Sequence, residues 1–169
     1  FHILRCFDDE NITHVDGTVN PVRDKEIIDL ELQLKDLETI ENRLSKVQKQ
    51  AQTGGDKMAK KLVGVLNAYK EVLLEGRSAR EVTFETPDEI KLAKELSLLT
   101  AKPVLYVCNV DEGSAATGNK YVEELREAIK NEGAEILVIA AKIESEIAEL
   151  EDYEERQMFL EEMGLEESG

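Results

Sequence analysis

The chain has 169 residues, of which 41% are apolar and 34% charged, with only three prolines and ten glycines. This balance excludes collagen-like and low-complexity chains and points to a helix-rich fold of one domain, or one domain carrying an insertion. The net charge of −16, from 21 basic and 37 acidic residues, argues against non-specific nucleic-acid binding over the whole surface.

Residues 1–7 read as a buried strand, apolar and ended by Asp8-Asp9. A loop over 8–23 follows, marked by Asp16-Gly17 and Asn20-Pro21. Spacing predicts a long helix from Asp24 to Gln50, with Ile27, Leu30, Leu34, Leu37, Ile40, Leu44 and Val47 as one apolar stripe. Thr53-Gly54-Gly55-Asp56 breaks it, and a second helix is predicted over Lys57–Leu74, with Met58, Leu62, Val65, Tyr69 and Val72 inward. Two amphipathic helices joined by a Gly-Gly turn form an antiparallel hairpin of coiled-coil type.

Thr86-Pro87-Asp88-Glu89 is a capping box with Pro at the first helical position, opening a helix that ends near Leu99. Residues 103–109 form a second strand, continuously apolar, as in a parallel strand covered on both faces. A small-residue loop over 110–119 leads to a helix over 121–132, stopped by Gly133. Residues 136–141 are a third strand, followed by short acidic helices at 145–151 and 153–163.

Strands alternating with helices give an α/β fold with a three-stranded parallel sheet. The expected division is 1–23 with 77–169 as the sheet-containing part, and 24–76 as the inserted hairpin. Three parallel strands leave an apolar sheet edge bare. The chain also opens inside an apolar run without a Met, so it reads as part of something longer. Two cysteines, Cys6 and Cys108, cannot build a disulfide framework. They are expected as core thiols in a reducing cytoplasm. No apolar run approaches the roughly 18 residues of a membrane span, so no membrane contact is expected. His14 is expected as a structural loop histidine.

Charge is unevenly spread. Residues 144–169 hold eleven acids and one base, Arg156, whereas Lys46, Lys49, Lys57, Lys60 and Lys61 face only Asp56 within 46–61. That basic cluster falls at the tip of the hairpin. It is a candidate contact for RNA phosphates, without the interleaved aromatics that base stacking needs.

Ligands of open α/β sheets bind beyond the carboxyl ends of the strands. There the sequence offers Asn109-Val110-Asp111-Glu112 after the second strand and Ala140-Ala141-Lys142 after the third. An Asn directly after a parallel strand with an acid three residues on resembles the N-K-x-D base motif of P-loop GTPases. Here Glu112 is one methylene longer than Asp, and Val110 stands for Lys. Taken alone, N-x-x-E occurs often by chance.

Further segments add weight. Arg5-Cys6-Phe7-Asp8-Asp9-Glu10-Asn11-Ile12-Thr13-His14-Val15, Gly17-Thr18-Val19-Asn20-Pro21, Glu31-Leu32-Gln33-Leu34-Lys35-Asp36-Leu37, Gly54-Gly55-Asp56-Lys57, Leu98-Leu99-Thr100-Ala101-Lys102-Pro103 and Ala140-Ala141-Lys142-Ile143-Glu144 together resemble the Obg-like ATPase (YchF) family. The resemblance covers the whole chain. It implies the central part of a translation-factor-class P-loop ATPase that prefers ATP to GTP, carries a helical hairpin insertion, and is linked to ribosomes and stress responses. By that resemblance Asn109 and Glu112 read adenine, Val110 packs on it, and Ala140 and Ala141 line its other side. The sequence contains no G-x-x-x-x-G-K-[ST] motif. The expectation is therefore that triphosphate and Mg²⁺ are held by residues outside it, as is the family's C-terminal TGS domain, and that 1–169 alone is inactive. The alternative is an RNA- or ribosome-binding module that acts through the basic tip, with the nucleotide half as scaffold.

Overall fold

The computed structural model describes residues 1–9, 11–12, 17–53 and 56–164, without the side chains of 50–53 and 162. The expected reversal at Gly54-Gly55 and His14 both lie outside the described residues. The chain divides into two compact units, residues 1–25 with 104–169, and residues 26–103.

The first unit holds a parallel sheet of β1 (His2–Arg5), β2 (Leu105–Asn109) and β3 (Glu135–Ile139), in the order β1-β2-β3. The expected parallel α/β arrangement is present. Alternation along the strands sends Leu4, Cys6, Tyr106, Cys108, Val110 and Ala140 to one face. There they pack with Val122, Leu125 and Ile129 of α4 (Lys120–Ile129), Ile143 and Ile147 of α5 (Ala141–Glu149), and Leu160 of α6 (Tyr153–Glu162). The opposite face carries Ile3, Val107 and Leu137 in register, with Ile3 68% and Leu137 40% exposed. Cys6 and Cys108 are buried free thiols. Their mutual hydrogen bond and burial push the Cys6 thiol well above its ordinary value, which keeps it protonated. Tyr106 is fully buried and donates its hydroxyl to Glu132 at 2.9 Å. Lys25 pairs with the other Glu132 oxygen at 2.6 Å and lies over the tyrosine ring.

The second unit contains most of α1 (Pro21–Thr53), all of α2 (Lys57–Leu74) and α3 (Pro87–Leu96). The α1 helix begins three residues before the predicted Asp24. Asn20 accepts the Arg23 N–H at 2.9 Å as an N-cap, and Pro21 takes the first helical position. The α2 helix has the predicted bounds, with Asp56 accepting the N–H groups of Met58 and Ala59. Gln33 donates to the Gly76 carbonyl and Lys70 pairs with Glu41. The sequence separation of the bonded residues falls from 43 to 29, as an antiparallel hairpin requires.

The buried faces depart from the predicted stripe. Ile40 and Val47 of α1 join Leu62, Val65, Leu66, Tyr69 and Leu73 of α2 in the core, but Ile27, Leu30 and Leu34 are exposed, as is Met58. In the first half of α1 the buried side chains are Pro21, Lys25, Gln33 and Asp36, and the last two face the segment around Thr100 and Gly76. Asp36 accepts the N–H groups of Leu99 and Thr100 and the Thr100 hydroxyl, each at 2.7 Å. A polar face is needed here because it satisfies the backbone of 98–101, which no sheet or helix ladder serves. Leu92 and Leu98 enter the same core, and residues up to Pro103 belong to the same compact unit as the hairpin.

Candidate functional site

Beyond the carboxyl ends of β1 and β2 lies a cleft of about 370 Å³, lined by Phe7, Asp8, Asp9, Asn109, Val110, Asp111, Glu112, Gly113 and Lys142. The ladder continues past the strands. Cys6 N–H donates to the Asn109 carbonyl and Val110 N–H to the Ile139 carbonyl, each at 2.8 Å. These bonds hold the three loops together at one edge.

Each wall has its own brace. The Arg5 guanidinium donates to the carbonyls of Phe7 and Ile12 and covers the Phe7 ring at 4.8 Å. Tyr121 donates its hydroxyl to Asp8 at 2.7 Å, which raises the phenol above its ordinary pKa. Asn119 caps α4 through the N–H groups of Tyr121 and Val122 and donates its amide to the Cys6 carbonyl at 2.7 Å. In the β2 loop Asp111 accepts the Ser114 hydroxyl, closing a short 3-10 turn over Glu112–Ser114.

Asn109, the last residue of β2, accepts the Ala141 N–H at 2.9 Å through Oδ1. With this bond the end of β2 braces the loop that follows β3. Because of it, β3 stops at Ile139 and α5 starts at Ala141, four residues before the predicted helix. Ala140 has no side chain able to cap α5, so Asn109 does this from the neighbouring strand.

The other expected residues divide. Glu112 lines the cleft, where its Oε1 is paired with Lys142 Nζ. The carboxylate beside it holds the Lys142 ammonium above its ordinary pKa. Val110 lines the cleft from within the core at 4% exposure, since strand alternation directs it to the helix-covered face. Ala140 is buried in that core and Ala141 is exposed; neither lines the cleft. Lys142, Phe7, Asp8 and Asp9, which stand in the sequence as parts of longer segments and not as base contacts, also line the cleft.

The candidate phosphate contacts lie in the other unit. Lys46, Lys49, Lys57 and Lys60 are exposed, whereas Lys61 is half-buried and paired with Asp88 at 2.5 Å. That ammonium holds the Asp88 carboxyl below its usual range. Lys46 borders a groove with Thr39, Asn42, Arg43 and Glu95.

The parallel sheet, the braced cleft at its carboxyl edge and the helical hairpin define an α/β fold with a ligand-sized opening at its strand ends. No protein-family model matches the chain. Among curated proteins, "Ribosome-binding ATPase YchF" of Bacillus subtilis is 51% identical over 170 residues, 99% of this chain and 46% of that protein. The protein of the same name from Escherichia coli O157:H7 is 41% identical over 99% of this chain and 45% of its own length. "Obg-like ATPase 1" of Xenopus laevis is 37% identical over 96% and 42%. The solved structure of the Schizosaccharomyces pombe YchF GTPase superposes with a TM-score of 0.83 at 29% identity, over 96% of this chain and 45% of that one. Over nearly its whole length, the chain is related to the Obg-like ATPase (YchF) family, and it spans just under half the length of these relatives.

Proposed function

We propose that this chain supplies the base-recognising side of an ATP-hydrolysing, ribosome-associated protein of the Obg-like class. The observation that carries the reading is the Asn109–Ala141 bond, which fixes two strand-end loops around a cleft holding the Glu112 carboxylate. In this reading the Asn109 amide donates to the purine ring, and Glu112 accepts the exocyclic amine of adenine. Val110 and Ala140 support the loops from the core beneath. Phe7 offers an apolar surface to one face of the ring.

ATP binding and hydrolysis belong to the longer protein. Among the described residues no group of three or more His, Cys, Asp or Glu side chains is arranged to hold a metal ion, so none is assigned to Mg²⁺. When bound, Mg²⁺ would neutralise the triphosphate. Among the described residues no helix is long and apolar enough to cross a membrane. A ribosome partner makes the cytoplasm the working compartment.

A second element of the reading is a ribosome or structured-RNA contact at the hairpin. It is supported by Lys57, Lys60 and Lys61 in the first turns of α2, where positive charge opposes the helix dipole. Exposed Lys57 and Lys60 at an unfavourable helix end suit a polyanion better than they suit the fold, whereas Lys61 is already paired with Asp88.

Photoaffinity labelling of the full-length protein with 8-azido-ATP tests the base site. The label should fall on peptides covering 7–9, 109–113 or 140–144, and excess ATP should suppress it. Labelling confined to other segments would contradict the reading.

A further inference from the structure

We propose that Lys142 is a specificity-determining residue of this cleft: by occupying one oxygen of Glu112, it denies guanine the two-oxygen acceptor that a free carboxylate would offer. The inference rests on the reading of the cleft as a base site and adds a residue and a mechanism of discrimination to it.

The geometry begins with the backbone. Asn109 holds Ala141 in place, so the next residue, Lys142, leaves α5 beside the loop that carries Glu112. Its ammonium rests on Glu112 Oε1, with Glu146 one turn further along α5 at 4.0 Å. Both members of the pair line the cleft. They are also well exposed, at 73% for Lys142 and 42% for Glu112. Such a pair contributes little to stability, so its position at the mouth of the cleft has no evident structural purpose.

The chemistry follows from counting donors and acceptors. A free carboxylate presents two acceptor oxygens. Guanine meets it with two adjacent donors, the N1–H and the N2 amine, one for each oxygen. With Lys142 on Oε1, Oε2 is the one oxygen left wholly free, Oε1 is shared with the ammonium, and the ammonium hydrogens are donors. Adenine answers that pattern with its N6 amine as donor and a ring nitrogen as acceptor. Guanine can offer N1–H to Oε2 and O6 to the ammonium, but its N2 amine must then compete with the ammonium for Oε1. A base that closes over the pair also removes it from water, which raises the cost of an unmatched donor.

The test is displacement of a fluorescent ATP analogue by ATP and by GTP from the full-length protein. It compares wild type with Asn109→Ala, Lys142→Ala, Lys142→Arg, Glu112→Gln and the Glu112→Gln/Lys142→Ala double variant. Loss of the ammonium frees Glu112, so Lys142→Ala should improve GTP affinity relative to ATP by about tenfold, the scale of one hydrogen bond to a charged group. Lys142→Arg should keep the wild-type ratio. In the Glu112→Gln background, removing Lys142 should change nothing, because the carboxylate that it masks is gone. A ratio that stays within about twofold in Lys142→Ala, or that shifts equally in both backgrounds, would overturn the proposal. If Asn109→Ala and Glu112→Gln leave both affinities unchanged, the base-site reading fails and this inference falls with it. If those two variants respond and Lys142→Ala does not, only the inference about Lys142 fails.

Discussion

Asn109 Oδ1 accepts the Ala141 N–H at 2.9 Å, so the end of β2 caps the start of α5 across the sheet. An N-cap acceptor is worth about 1 kcal/mol. Asn109→Ala should therefore lower the stability of the sheet-containing unit by about that amount and weaken ATP binding of the full-length protein by about tenfold or more. Asn109→Asp keeps an acceptor for Ala141 but has no amide to give to a base. It should restore stability without restoring affinity, as read by thermal melts beside titration calorimetry. Recovery of both by Asp would reduce Asn109 to a helix cap.

Asp36 makes a different prediction, in the hairpin unit. It is 1% exposed and accepts three hydrogen bonds from Leu99 and Thr100. Asp36→Ala leaves buried donors unmatched and should cost about 3 kcal/mol in denaturant unfolding. A loss well under about 1 kcal/mol would mean that the 98–101 segment finds other partners.

The tip lysines should act unequally. Lys57 and Lys60 are exposed, but Lys61 is engaged with Asp88. In ribosome co-sedimentation at several salt concentrations, Lys57→Glu with Lys60→Glu should weaken binding and flatten its salt dependence, leaving ATP affinity unchanged. Lys61→Glu should instead weaken the α2–α3 contact, with a smaller effect on sedimentation. Unchanged slopes in all variants would leave these lysines as a solvated turn.

Tyr121 predicts a pH effect. Its hydrogen bond to Asp8 raises the folded-state phenol pKa, so the stability it contributes is fully present below the ordinary tyrosine pKa near 10 and is lost as pH rises through the folded value. Phenolate difference titration of wild type against Tyr121→Phe should show one tyrosine titrating late. In an Asp8→Asn variant, that late step should move down. A late step that persists there would assign the shift to another cause.

Much of the fold was legible because it rests on local signals. The Lys57–Leu74 helix, the Thr86-Pro87 start and the apolar run of β2 each announce themselves within a few residues. The start of α1 is ambiguous in the sequence because Asn20-Pro21 serves equally as a turn and as a cap followed by the first helical residue. The buried face of α1 departs from its apolar period for a deeper reason. Period alone assigns Ile27, Leu30 and Leu34 to the interior, but the segment packed there exposes backbone donors, and Asp36 answers them. At the cleft, Asn109 and Glu112 could be read from their spacing after a strand. The Glu112–Lys142 pair spans 30 residues and exists only once β2 and β3 are in register. No local pattern signals it.

The central claim is that this cleft reads adenine. The most direct measurement is competition of ATP and GTP for the full-length protein, with dissociation constants obtained under one buffer and Mg²⁺ concentration. The account predicts tighter binding of ATP, with the preference weakened in Lys142→Ala. Equal affinities, or a preference for GTP in the wild-type protein, would contradict it.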